Sequence, residues 1–175
     1  MPKLSAQEQS EFLNERRVIM KIAAVKPDGS PFVTPVWYLC EHGAIYFTPR
    51  EQSDWFGYLR NDPRVALCID EQPLPYRKVL IDGGAELLHD VGEDDAWRDL
   101  YLRLSARYIP QRDAEAYVRN TLNEPRGLFR VVLADAKVRS WRLPVDGEAS
   151  EGIWHKRYYK DPNIDFSAKQ GSSDD

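Results

Sequence analysis

At 175 residues the chain has room for one domain and, with 42% hydrophobic and 30% charged residues, enough apolar material for a core. A net charge of −4 argues against a general nucleic-acid binder, which needs surplus Lys and Arg facing phosphate. No apolar run reaches the roughly 18 residues that span a bilayer, and the polar start MPKLSAQEQSEF is no signal peptide, so the expectation is a cytoplasmic protein.

Ser5 and Glu8 form a capping box that predicts a helix from about residue 6 to 16. A strand follows over 18–26, then the turn Pro27-Asp28-Gly29-Ser30, then a second strand over 32–40. Pro35 inside that strand implies an edge position or a bulge, because proline cannot donate to a ladder. Glu41-His42-Gly43 closes another hairpin into a third strand, 44–48. Strands joined by such tight turns pair antiparallel.

Ser53 can cap a short helix through about residue 59, which Asn61-Asp62-Pro63 ends. A strand over 64–70 and a proline-bearing loop lead to a long strand over 77–89, interrupted by Gly83-Gly84 where a barrel wall can bend. Glu93, Asp94 and Asp95 open a helix, where negative charge complements the dipole. Trp97, Leu100, Leu104 and Tyr108 give that helix one apolar face. A further helix is expected over 112–122, and the last strands over 128–134 and 136–142. The expected domain is residues 1–145, with 146–175 as a C-terminal arm whose end, 167–175, is disordered. The arm carries the basic and aromatic run Trp154 to Lys160, which can pack over the barrel or a partner subunit.

The fold class read from this order is mainly β (α+β): a six- to seven-stranded antiparallel barrel with two or three peripheral helices. The spacing of His42, His89 and His155 offers no metal site, and Cys40 and Cys68 read as two reduced, buried thiols. Elbows and glycine-rich phosphate loops of hydrolases, kinases and dinucleotide enzymes are absent from the sequence.

Four segments in order carry a resemblance: Pro31 to Tyr38, Ala44 to Thr48, Leu59 to Leu67, and Val79 to Leu87, closed by Arg130 to Leu133 and Val138 to Trp141. Together the set, spanning about residues 12–142, resembles the pyridoxamine 5′-phosphate oxidase-like flavin-binding split-barrel superfamily. That resemblance implies a homodimer with cofactor sites at the subunit interface, FMN or deazaflavin F420 as cofactor, and hydride transfer at flavin N5 to or from a small hydrophobic or aromatic substrate. It implies that Thr34, Pro35, Val36 and Trp37 lie along the isoalloxazine edge, and that Thr48 and Ser53 approach the cofactor phosphate. A helix start suits an anion on physical grounds too.

The sequence departs from the family pattern directly after that serine. Asp54 and Trp55 stand where relatives carry basic residues; Arg50 is the obvious local substitute, with Arg77 or Lys78 on the fifth strand as further candidates to reach the pocket. Trp55 and Trp37 can stack on a planar ring or fill core space. The alternative reading is a non-enzymatic binding or scavenging dimer that lost the flavin phosphate site and takes haem or another planar ligand. Pyridoxamine phosphate oxidation itself is disfavoured, because the C-terminal Arg and His pattern for the substrate phosphate is missing.

Overall fold

The computed structural model describes residues 1–148, so the expected arm segment Trp154 to Lys160 and the tail 167–175 lie outside the described residues. In chain order the elements are α1 (Ala6–Asn14), β1 (Met20–Val25), β2 (Pro31–Val36), β3 (Leu39–Glu41), β4 (Ala44–Phe47), α2 (Asp54–Asn61), β5 (Arg64–Asp70), β6 (Lys78–Gly84), β7 (Glu86–His89), α3 (Arg98–Ala106), α4 (Gln111–Asn120), β8 (Leu128–Val132) and β9 (Lys137–Trp141). The capping box forms as expected: Glu8 N–H donates to Ser5 Oγ at 3.2 Å and Ser5 N–H to Glu8 Oε2 at 2.7 Å.

All strand pairs are antiparallel, in two sheets ordered β2-β1-β5-β6-β9 and β3-β4-β8-β7. The protein is therefore an α+β split barrel, and its two sheets do not close into one hydrogen-bonded ring among the described residues. Nine strands appear there where six or seven were expected, while the four α-helices fall in the four stretches read as helical, more than the two or three counted as peripheral to the barrel. The extra strands come from corners. The stretch 32–40 breaks at Trp37-Tyr38 into β2 and β3, and 77–89 breaks at Ala85 into β6 and β7. At each break the chain leaves the five-stranded sheet for the four-stranded one. Gly83 sits at the second corner, where a Cβ would stand 3.1 Å from both Ala136 Cβ and Val131 Cγ1. Close approach of the sheets favours glycine there, since a Cβ would sit tighter than ordinary contact.

The main core lies between the sheets. Phe12, Met20, Ile22, Tyr38, Ile45, Phe47, Ile69, Val79 and Ile81 are wholly inaccessible in it. A second cluster, with Leu39, Tyr46, Trp97, Tyr101, Leu104, Val118 and Leu128, packs α3 and α4 on the outer face of the four-stranded sheet. Covered on both faces, β4 is buried at every position, which accounts for its unbroken apolar run.

Arg107 ties α1 to this frame: its Nη2 donates to the carbonyl of Glu15 at 2.7 Å and to Tyr38 Oη at 2.9 Å. Cys40 and Cys68 are free and only half-buried, less enclosed than expected, because each stands on a strand face that is partly open.

Candidate functional site

Pro35 predicted an edge, and β2 is the outer strand of its sheet. Against that edge opens a cavity of about 380 Å³, within the range of small-molecule sites. Its walls come from five places in the chain: β2 with Trp37, the 48–50 turn after β4, the start of α2, the inner faces of α3 and α4, and Arg126 just before β8.

Eight of the ten residues singled out from sequence line this one cavity: Thr34, Pro35, Val36, Trp37, Thr48, Arg50, Ser53 and Trp55. The structure does not bring Arg77 and Lys78 into it. Lys78 begins β6 and Arg77 immediately precedes it, and β6 lies three strands from β2, a separation of about 14 Å at the usual strand spacing. Arg77 is instead gripped by Glu71, with Nε 2.6 Å from Oε1 and Nη2 2.6 Å from Oε2, and also by Glu15 at 2.7 Å. Lys78 places its ammonium 4.1 Å from the centroid of Tyr76.

The local contacts sharpen several expected roles. The indole of Trp37 stacks flat on Tyr108, with centroids 4.9 Å apart and planes 3° from parallel, so one face is already covered. Tyr117 approaches Trp37 edge-on at 5.7 Å. Trp55 lines the cavity while packing on Phe47, 6.1 Å away in the core. Ser53 precedes α2, yet its side chain caps no helix amide. Its hydroxyl donates to the carbonyl of Arg50 at 2.6 Å, which holds the turn shut.

The lining residues that sequence reasoning missed are Ile19, Pro49, Tyr101, Leu104, Tyr117 and Arg126. Leu104 belongs to the apolar face expected of its helix, but nothing in the spacing tells that face from ordinary core. Arg126 carries no signal at all, sitting between Pro125 and Gly127 just before β8. It is 7% exposed. Its Nη1 donates to the carbonyl of Thr48 at 3.1 Å and its Nη2 to Tyr117 Oη at 3.3 Å. The guanidinium lies over Tyr101, 4.8 Å from the ring centroid. Asp94 Oδ1 accepts the Arg126 backbone N–H at 3.0 Å. The acidic group expected to open a long helix therefore serves partly to fix this arginine, and a short 3-10 turn over Asp94–Trp97 precedes α3.

Arg50 and Arg126 face each other across an isolated antiparallel bridge. They are the only charged residues lining the cavity among those described. Tyr117 Oη also accepts from Arg50 Nη2, at 3.5 Å. Burial pushes the Tyr101 hydroxyl well above its usual range, so it stays neutral at physiological pH despite the pull of Arg126. An apolar, aromatic trough with two cations at one end suits a flat ring system that carries an anionic group.

The sequence matches the pyridoxamine 5′-phosphate oxidase family over residues 5–141. The chain belongs to that family. Among solved structures, a conserved hypothetical protein of Mycobacterium tuberculosis is similar with a TM-score of 0.64 and 26% identity, over 85% of this chain and 94% of that one. A FAD-binding protein of Mesorhizobium loti is similar with a TM-score of 0.58 and 23% identity, over 80% and 97%. A FAD and haem binding protein of Mycobacterium smegmatis follows with 0.59 and 19%, over 81% and 74%. The last two likenesses show the shared fold. No curated protein matches the chain.

Proposed function

We propose that the cavity binds a flavin-type cofactor, FMN or deazaflavin F420, and that the protein is a flavin-dependent oxidoreductase acting on a small hydrophobic or aromatic substrate. The observation that carries this reading is convergence: in a chain of this family, eight residues chosen for flavin contact from sequence meet around one cavity with apolar walls and a cationic end. FAD binding by two proteins of the same fold supports the flavin class. The flavin, when bound, supplies the hydride chemistry. The chain's residues orient it: β2 offers an open backbone edge for the ring's polar rim, while Trp37, Trp55 and Leu104 exclude water. The open side of the cavity faces the exposed β2, where Val33 is 66% accessible, and we assign that side to a second copy of the chain in a homodimer. The haem-scavenging alternative is less well supported by the lining, which contains no His, Cys or Met, and whose two tyrosines are a buried, neutral Tyr101 and a Tyr117 whose hydroxyl is taken by Arg50 and Arg126.

The test is the absorption spectrum of the purified protein, then titration with FMN, FAD and F420 and gel filtration. A saturable complex with one of them, at one flavin per chain in a dimer, is the expected result. No binding of any would refute the cofactor reading, and a clean monomer would refute the shared site.

A further inference from the structure

The family resemblance puts a flavin phosphate at the start of α2, but three observations turn an anion away from that place. Ser53 spends its hydroxyl on the carbonyl of Arg50. Asp54 stands in the first turn of α2, where its charge repels a phosphate. Neither Arg77 nor Lys78 reaches the cavity.

The side of the same cavity formed by Arg50 and Arg126, next to that turn, is built for negative charge. Arg126 is buried, held by the carbonyl of Thr48, and positioned by Asp94 through its backbone. Its Nε has no hydrogen-bond partner among the described residues. The guanidinium as a whole is buried at the cavity wall, so an acceptor that reaches it gains more than it would at a solvated arginine. Arg50 stands beside it, and Tyr117 Oη bridges the two guanidinium groups. The carboxylate near both is Glu124, with Oε2 at 2.5 Å from Arg50 Nε and 3.9 Å from Arg126 Nη2.

Glu124 can leave without disturbing the backbone. Its N–H is bonded to the Thr121 carbonyl at 3.0 Å and the next residue, Pro125, accepts from Glu51 at 2.9 Å, so the loop is pinned on both sides. Its side chain is 42% exposed, so a change of rotamer delivers the carboxylate to water.

We propose that Arg126, with Arg50 and the Tyr117 hydroxyl, forms the anion-binding end of the cavity and takes a phosphate-class group of the ligand in place of the start of α2, with Glu124 as the internal carboxylate that this group displaces. The proposal rests on the cavity being the ligand site and deepens that reading.

FMN and riboflavin differ by the phosphate alone, so the ratio of their affinities isolates this end. Riboflavin, FMN and inorganic pyrophosphate are titrated into the full-length wild type, Arg126→Gln and Glu124→Gln. The expected result is a preference for FMN that falls about tenfold or more in R126Q, the loss of a charge-assisted hydrogen bond. In E124Q it rises about threefold or more, with riboflavin unchanged. If R126Q does not fold, R126K takes its place; it keeps the charge and loses the planar fork, so a smaller fall in the FMN preference is expected, and an unchanged preference overturns the proposal. An FMN preference unchanged in both variants overturns the proposal. So does a preference abolished by Ser53→Ala and not by R126Q. If neither riboflavin nor FMN binds any of the proteins, and FAD and F420 fail as well, the flavin reading fails separately. Pyrophosphate then decides the anion end: weaker in R126Q and tighter in E124Q supports it, and equal binding throughout overturns it.

Discussion

Gly127 follows Arg126 into β8, and its hydrogen is the only side chain its surroundings admit. A Cβ at that position would fall 2.5 Å from Phe56 Cε2, 3.2 Å from Leu87 Cδ1 and 3.3 Å from Phe129 Cε2. The first contact is about an ångström inside ordinary van der Waals separation. Phe56 is 5% exposed and set edge-on to Phe129 at 5.8 Å, so its ring has no free side to retreat into. Gly127→Ala should therefore cost about 1–3 kcal/mol as overpacking. Thermal denaturation should show a fall of roughly 2–12 °C for a chain of this size. Because Phe56 belongs to α2, its displacement shifts Ser53 and Trp55, and flavin affinity should fall as well. The internal control is Gly57, exposed on the same helix, where an added Cβ would meet nothing within 4 Å. Gly57→Ala should stabilise by up to about 1 kcal/mol, since alanine is the better helix former. A G127A protein as stable as wild type, or a G57A protein that is less stable, would refute this account of the packing.

Tyr108 Oη accepts the Tyr38 N–H at 3.0 Å and donates to the Val18 carbonyl at 3.0 Å. Tyr108→Phe keeps the stack on Trp37 but orphans a buried amide, so chemical denaturation should report a loss of about 1–3 kcal/mol. Burial pushes this hydroxyl up to about 12 from an ordinary 10.0. Its contribution is therefore complete below pH 10 and lost as pH rises through the folded value, and the alkaline limb of stability should be shallower in Y108F. The hydrogen bonds from Arg77 hold the Glu71 carboxyl below its ordinary 4.5. That contribution is complete above the ordinary value and lost as pH falls through the folded one, so Glu71→Gln should be less stable at neutral pH and flatter in acid. Lys78→Ala should leave flavin titrations unchanged, whereas weakened binding would return β6 to the site.

Much of the fold was legible because its signals are local. The capping box, the two glycine turns of the meander and the proline in β2 each act over a few residues, and each appears where the spacing placed it. What escaped were the corners at Trp37-Tyr38 and Ala85, because an apolar strand reads the same whether it stays in one sheet or crosses to another. The site divided in the same way. Residues carried on β2, the 48–50 turn and the start of α2 were found through an ordered family pattern. Arg126 and Tyr117 were not, since they are brought in by the packing of α3 and α4, and no spacing in the chain encodes it. Arg77 and Lys78 failed for the converse reason: their charge was visible, but the two strands that intervene between β6 and β2 were not.

Pro31 and Pro35 lie on the same side of β2, since residues two apart in a strand share a direction, and prolines are tolerated only where the missing donor faces outward. The outer rim of β2 therefore offers three carbonyls at positions 31, 33 and 35 but one N–H, that of Val33. Another strand laid along it would find too few donors to zip up, so the rim resists runaway edge-to-edge stacking. It stays open to a small molecule or to side chains of a neighbour, which need only one or two bonds. Two imino acids thus let the protein leave a sheet unfinished beside its cavity without turning that margin into a seed for fibres.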